Sequence, residues 1–153
     1  MKKIILALYL VFGCTSFVLA DDGMVTLQSP YSAQMTIDRL EKILVDKGMT
    51  IFTRISHNEG AMKVGLELRP TVVLVFGNPK VGTPVMLCQQ KAAIDFPQKA
   101  LAWEDREGKV WLSYNDPQYL VERHQIKGCE EFIKKIKGAL SKFANAAVLQ
   151  EEE

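Results

Sequence analysis

The run Thr71-Val72-Val73-Leu74-Val75-Phe76 constrains the fold of this 153-residue chain more than any other feature. It is unbroken by charge, glycine or proline and is dominated by β-branched and apolar side chains. Such a run suits a central strand covered on at least one face. A strand of that kind needs hydrogen-bonded neighbours and a covering layer, and the flanking sequence offers both.

Met24 to Gln28 reads as a short strand. Ser32 is a helix N-cap, followed by an apolar stripe of Ala33, Ile37, Leu40 and Leu44 and by Gly48 as a C-terminal stop. Thr50 to Ser56 reads as a strand with Ile51, Thr53 and Ile55 on one face, broken by His57-Asn58-Glu59-Gly60. Gly77 to Gly82 is turn chemistry, and Thr83-Pro84 is expected to open a helix through Gln89. Lys99 to Asp105 and Lys109 to Tyr114 form a hairpin across Arg106-Glu107-Gly108, with Trp103 and Trp111 on its two arms. Asp116-Pro117 caps a short helix reaching His124. After Gly128, Ile133, Ile136, Leu140, Phe143 and Ala147 recur at helical spacing. The predicted order is β-α-β-β-α-β-β-α-α. It implies a two-layer α+β domain, with a mainly antiparallel sheet and helices packed on one face.

The N-terminus carries an export signature. Met1-Lys2-Lys3 is positively charged, Ile4 to Gly13 is almost wholly apolar, and Val18-Leu19-Ala20 ends in a small residue before Asp21-Asp22. Residues 1–20 are therefore expected to be a signal peptide, and the mature chain periplasmic or secreted. Two alternatives are an uncleaved anchor and a lipoprotein modified at Cys14. Against the first, Thr15-Ser16 and the acids that follow cut the apolar stretch short. Against the second, Phe12 is bulky where a small residue is usual. Loss of Lys2 and Lys3 leaves 17 basic residues against 18 acidic ones, a balance with no nucleic-acid surface in it. The mature length suits one domain, large enough to bury a core without staples. Cys88 and Cys129 remain as an even pair, either a disulfide or two buried thiols.

Several blocks resemble the domain of unknown function 302 family. They are Lys63-Val64-Gly65-Leu66-Glu67-Leu68-Arg69-Pro70-Thr71, the stretch from Phe76 to Pro84, Leu101 to Asp105, Gly108 to Pro117, and Arg123-His124. The resemblance implies a compact α+β domain over residues 21–128 and members that form homodimers, with no established reaction. Residues 129–153, an amphipathic helix and an acidic tail, lie outside the recognised blocks.

Candidate chemistry is sparse. Gly77 and Gly82 have the glycine spacing of a phosphate-binding loop, but Thr83 stands where its lysine should be, so no nucleotide loop is present. A small anion or carboxylate ligand is the remaining possibility there, met by Lys80, Asn78 and Thr83 at a helix N-terminus, and a plain tight turn is the alternative. Arg69, Asp95 and Tyr114 are further candidate ligand contacts. His57 and His124, the only histidines, would with an aspartate supply a divalent metal site or an acid–base pair. A hydrogen-bonded structural role competes with both. Trp103 and Trp111 suit either core packing or an aromatic wall for an apolar ligand. Lys134, Lys135, Lys137 and Lys142 on the last helix suit a solvated face better than a membrane surface.

Three functions stay open on sequence alone. The first is a small exported accessory domain binding a ligand, anion or metal. The second is an acid–base or metal-assisted enzyme built on His57 and His124. The third is a dimeric interaction module.

Overall fold

The computed structural model describes residues 23–150; the predicted leader and Cys14 lie outside the described residues. Five strands form one antiparallel sheet in the order β1-β5-β4-β3-β2. They are β1 Met24–Ser29, β2 Thr50–Ser56, β3 Thr71–Gly77, β4 Gln98–Glu104 and β5 Val110–Asn115. The helices are α1 Ala33–Asp46, α2 His57–Lys63, α3 Pro79–Cys88, α4 Pro117–His124 and α5 Glu130–Val148, with a 3₁₀ turn at Gln90–Asp95. The chain is thus the α+β domain its patterning predicts, with α2 and the 3₁₀ turn as additions.

The Thr71–Phe76 run is β3, one strand in from the edge. Val72, Leu74 and Phe76 are buried toward the helices, and Val73 and Val75 are half-buried on the opposite face. Ala100 and Ala102 of β4 and Leu112 and Tyr114 of β5 extend the buried face. The small alanines let α1 approach the sheet closely. Its Ala33, Ile37, Leu40 and Leu44 fill the space, and Ile133, Ile136, Leu140 and Ala144 of α5 complete the core beside them. Ser32 caps α1 by accepting from the Met35 amide. At the far end Gly48 takes the left-handed conformation (φ +72°) that turns the chain, and the Met49 amide reaches back to the Leu44 carbonyl. A buried hydroxyl pair, Ser29 and Thr36 at 2.7 Å, joins β1 to α1.

At the hairpin tip, Asp105 accepts from the Glu107 and Lys109 amides and from the Trp111 indole. The Trp111 bond, helped by the two amides and the charge of Lys109, holds the Asp105 carboxyl below its usual range against the opposing effect of desolvation. Trp103 and Trp111 stack 6.4 Å apart across the hairpin. Trp103 also donates to Ser113, which bonds Thr26 in turn.

One break gains detail and two local expectations need correction. The His57-Asn58-Glu59-Gly60 break is the first turn of α2, because Ser56 accepts from the Glu59 amide and caps a helix there. Ile51 does not share a face with Thr53 and Ile55. A bulge at Phe52 shifts the register, so Ile51 pairs with Phe76 while Thr53 and Ile55 pair with Val75 and Val73. Finally, α3 begins at Asn78-Pro79, five residues ahead of Thr83-Pro84.

Cys88 and Cys129 are joined in a disulfide that ties the end of α3 to the start of α5.

Candidate functional site

The sheet has two functionally different ends. Because the strands are antiparallel, Thr50, Gly77, Gln98, Asn115 and Met24 lie at one end. Ser56, Thr71, Glu104, Val110 and Ser29 lie at the other. A seven-residue strand such as β2 separates them by about 20 Å. His57 follows Ser56 and is exposed at the second end. His124 closes α4, which follows β5 at the first end. The two histidines therefore do not converge, and no group of three His, Cys, Asp or Glu side chains among the described residues is placed to hold a metal ion. Arg69 also lies at the second end, where its guanidinium donates to the Glu104 carbonyl.

At the first end the structure brings His124 together with Asp95. His124 Nε2 lies 2.5 Å from Asp95 Oδ2, with the His124 side chain only 9% exposed. Arg123 Nη1 approaches Asp95 Oδ1 at 3.4 Å. This pair links α4 to the 3₁₀ turn. Tyr114, also toward this end, is buried in the core; burial, with Asp116 nearby, pushes its phenol above 10.0.

The expected anion site at Lys80, Asn78 and Thr83 changes character. Asn78 Oδ1 accepts the Lys80 amide, and the Asn78 carbonyl accepts the Val81 and Gly82 amides. The N–H groups that would meet an anion are thus already satisfied, and Thr83 sits a full turn inside the helix. Asn78 also donates to the Gly48 carbonyl, fixing the start of α3 against the α1–β2 turn.

What this end offers instead is an apolar cleft of about 420 Å³ between the sheet end, α3 and α5. Met49 and the bulged Phe52 come from the α1–β2 side. Val81 and Met86 come from α3, Phe96 from the segment after the 3₁₀ turn, and Ile136, Leu140 and Phe143 from α5. Lys47, Asn78, Thr83 and Gln98 are its polar or charged members. Volume and lining fall within the range of small-molecule sites, which are mostly apolar with a few orienting polar groups. Sequence reasoning found Asn78 and Thr83 but missed the rest. Phe143 reads as a core position, yet it is only half-buried and turns to the cleft. A signal for Gln98 was present: the Ala100, Ala102 alternation, extended back by two, puts a polar side chain on an apolar face.

The fold has a counterpart. A crystal structure of an uncharacterized conserved DUF302 protein from Bacillus stearothermophilus superposes with a TM-score of 0.74. It shares 21% identity over 82% of this chain and 98% of that one, and thus a fold. Two proteins named fluoride-specific ion channel FluC 1, from Brucella suis and Brucella abortus, are each 45% identical over 106 residues. That match covers 69% of this chain but 42% and 39% of theirs, so the chain spans about two-fifths of the length of these curated relatives. The model of the DUF302 family, a domain of unknown function, matches residues 25–143, from β1 through most of α5, and the chain belongs to that family.

Proposed function

We propose that this domain is an exported accessory module that binds a small, largely apolar molecule in the cleft between the sheet end, α3 and α5. The cleft itself carries the reading. It is a concave apolar surface of about 420 Å³ with a few polar groups among its lining residues, whereas the anion, metal and two-histidine alternatives each lack a convergent set of groups. The Asp95–His124 pair holds the neighbouring elements together and is not among the lining residues. Export fits the Cys88–Cys129 bond, since disulfides persist in oxidising compartments. The Brucella relatives' name points to a membrane channel. No helix among the described residues is long and apolar enough to cross a membrane, so the role proposed for this domain is an accessory one.

The test is displacement of the neutral dye N-phenyl-1-naphthylamine. Wild-type protein is expected to enhance its fluorescence saturably, and Ala139→Trp, which fills the cleft from α5, to abolish the enhancement while the far-UV spectrum stays unchanged. Equal enhancement by both proteins refutes the site.

A second reading, self-association, is favoured by one observation. Met62, Val64, Leu66 and Leu68 are all exposed on the end of α2 and the turn and loop that follow. Apolar side chains gathered in this way mark interaction surfaces. A homodimer using this segment should be broken by Leu66→Glu; sedimentation equilibrium showing one mass for both proteins dismisses it.

A further inference from the structure

Gln98 is 6% exposed, and its Nε2 has no hydrogen-bond partner among the described residues. It is also part of the cleft wall. Its position is set by the sheet. Gln98 opens β4, pairs with Phe76 of β3, and shares the helix-facing side with Ala100 and Ala102. A buried donor without an acceptor is destabilising, and an apolar side chain of the same length would avoid that cost. A glutamine here is therefore explained if something entering the cleft accepts its hydrogen bond. The terminal amide turns about a broad, soft torsion, so it needs no backbone movement to present Nε2 to the cleft.

We infer that the cleft selects an apolar molecule bearing an uncharged acceptor oxygen, such as a ketone, ester or amide carbonyl, with the Gln98 amide as the donor that recognises it. The inference rests on the cleft being a binding site. The charge of the oxygen follows from the lining. Lys47 is the only charged residue among the lining residues, and it is exposed at the end of α1. A carboxylate beside Gln98 would be buried against neutral and apolar groups, and its desolvation would outweigh one neutral hydrogen bond. A carbonyl loses far less hydration and regains it from the amide.

Matched probes separate the terms. Butyrophenone and n-butylbenzene differ by a carbonyl in place of a methylene, and 3-phenylpropionate places a carboxylate on a similar body. Each is titrated against N-phenyl-1-naphthylamine bound to wild type, Gln98→Met and Lys47→Met. The expected result is that the ratio of butyrophenone to n-butylbenzene affinity falls about tenfold in Gln98→Met. Gln98→Leu serves as a second variant with the same expectation, and urea melts confirm that both fold. A ratio that does not move overturns the inference while leaving the cleft reading intact. Tightest binding by 3-phenylpropionate, lost in Lys47→Met and kept in Gln98→Met, overturns it in favour of an anionic ligand at the mouth. Failure of every probe and of the dye itself removes the cleft reading and this inference together.

Discussion

Removing the Cys88–Cys129 bond is expected to destabilise the domain by several kcal/mol, on the order of its cross-link entropy. The two cysteines are 41 residues apart, and the loop they close contains β4, β5 and α4. Constraining a loop of that length in the unfolded chain is worth about 4 kcal/mol at 25 °C on the chain-entropy account. For a domain of this size each kcal/mol moves the melting temperature by about 3 to 5 °C, so reduction should lower it by about 12 to 20 °C. The assay is calorimetry of the protein with and without a phosphine reductant, beside a thiol count and the variant Cys88→Ala/Cys129→Ala. The reduced protein and the double variant should melt together, because both lose the same cross-link. The bond also joins α3 to α5, which form facing walls of the cleft, so reduction should weaken dye binding below the melting range as well. A shift under about 3 °C, with both thiols titrating after reduction, would refute the entropic reasoning.

Other expected outcomes test the core, the caps and one tight approach. Leu74→Ala, at a fully buried site in β3, should cost about 2 to 5 kcal/mol in urea denaturation. Asp116 caps α4 and meets Lys137 of α5 at 2.8 Å. Burial raises its carboxyl, but the bond and charge of Lys137 and the Gln118 amide outweigh it and hold the group below 3.8. Stability from this group is thus present above about pH 4 and lost as pH falls through the lowered folded value. Asp116→Asn keeps a good cap, so it should cost only about 0.5 kcal/mol at pH 7 and flatten the fall of melting temperature below about pH 4. Gly23 has φ +73°, and a Cβ there would lie 2.5 Å from the Tyr119 ring. Gly23→Ala should therefore cost about 1 to 3 kcal/mol, read by thermal melting, and loosen α4 against β1.

Much of this architecture is legible in the sequence because it follows from period alone. The β3 run, the α1 stripe with its Ser32 cap and Gly48 stop, and the β4–β5 hairpin each repeat one local preference over enough residues to outweigh alternatives. The cleft is less legible because its walls depend on choices with two local solutions. Asn78-Pro79 and Thr83-Pro84 both carry a cap residue followed by proline, and asparagine is only somewhat the better cap. The Asn78 start is also held by a partner far away in sequence, since the Asn78 amide donates to the Gly48 carbonyl. Starting α3 at Pro79 converts Val81, Gly82 and Thr83 from an apparent loop into one helical wall. The bulge at Phe52 has the same character, since one extra residue in β2 is invisible to a period of two and yet turns an aromatic ring toward the cleft. The helix start and the lining of the cleft are therefore set together. The expected anion site and the apolar cleft share Asn78 and Thr83, and the register of a single turn decides whether those residues offer free amides to an anion or frame a space for carbon.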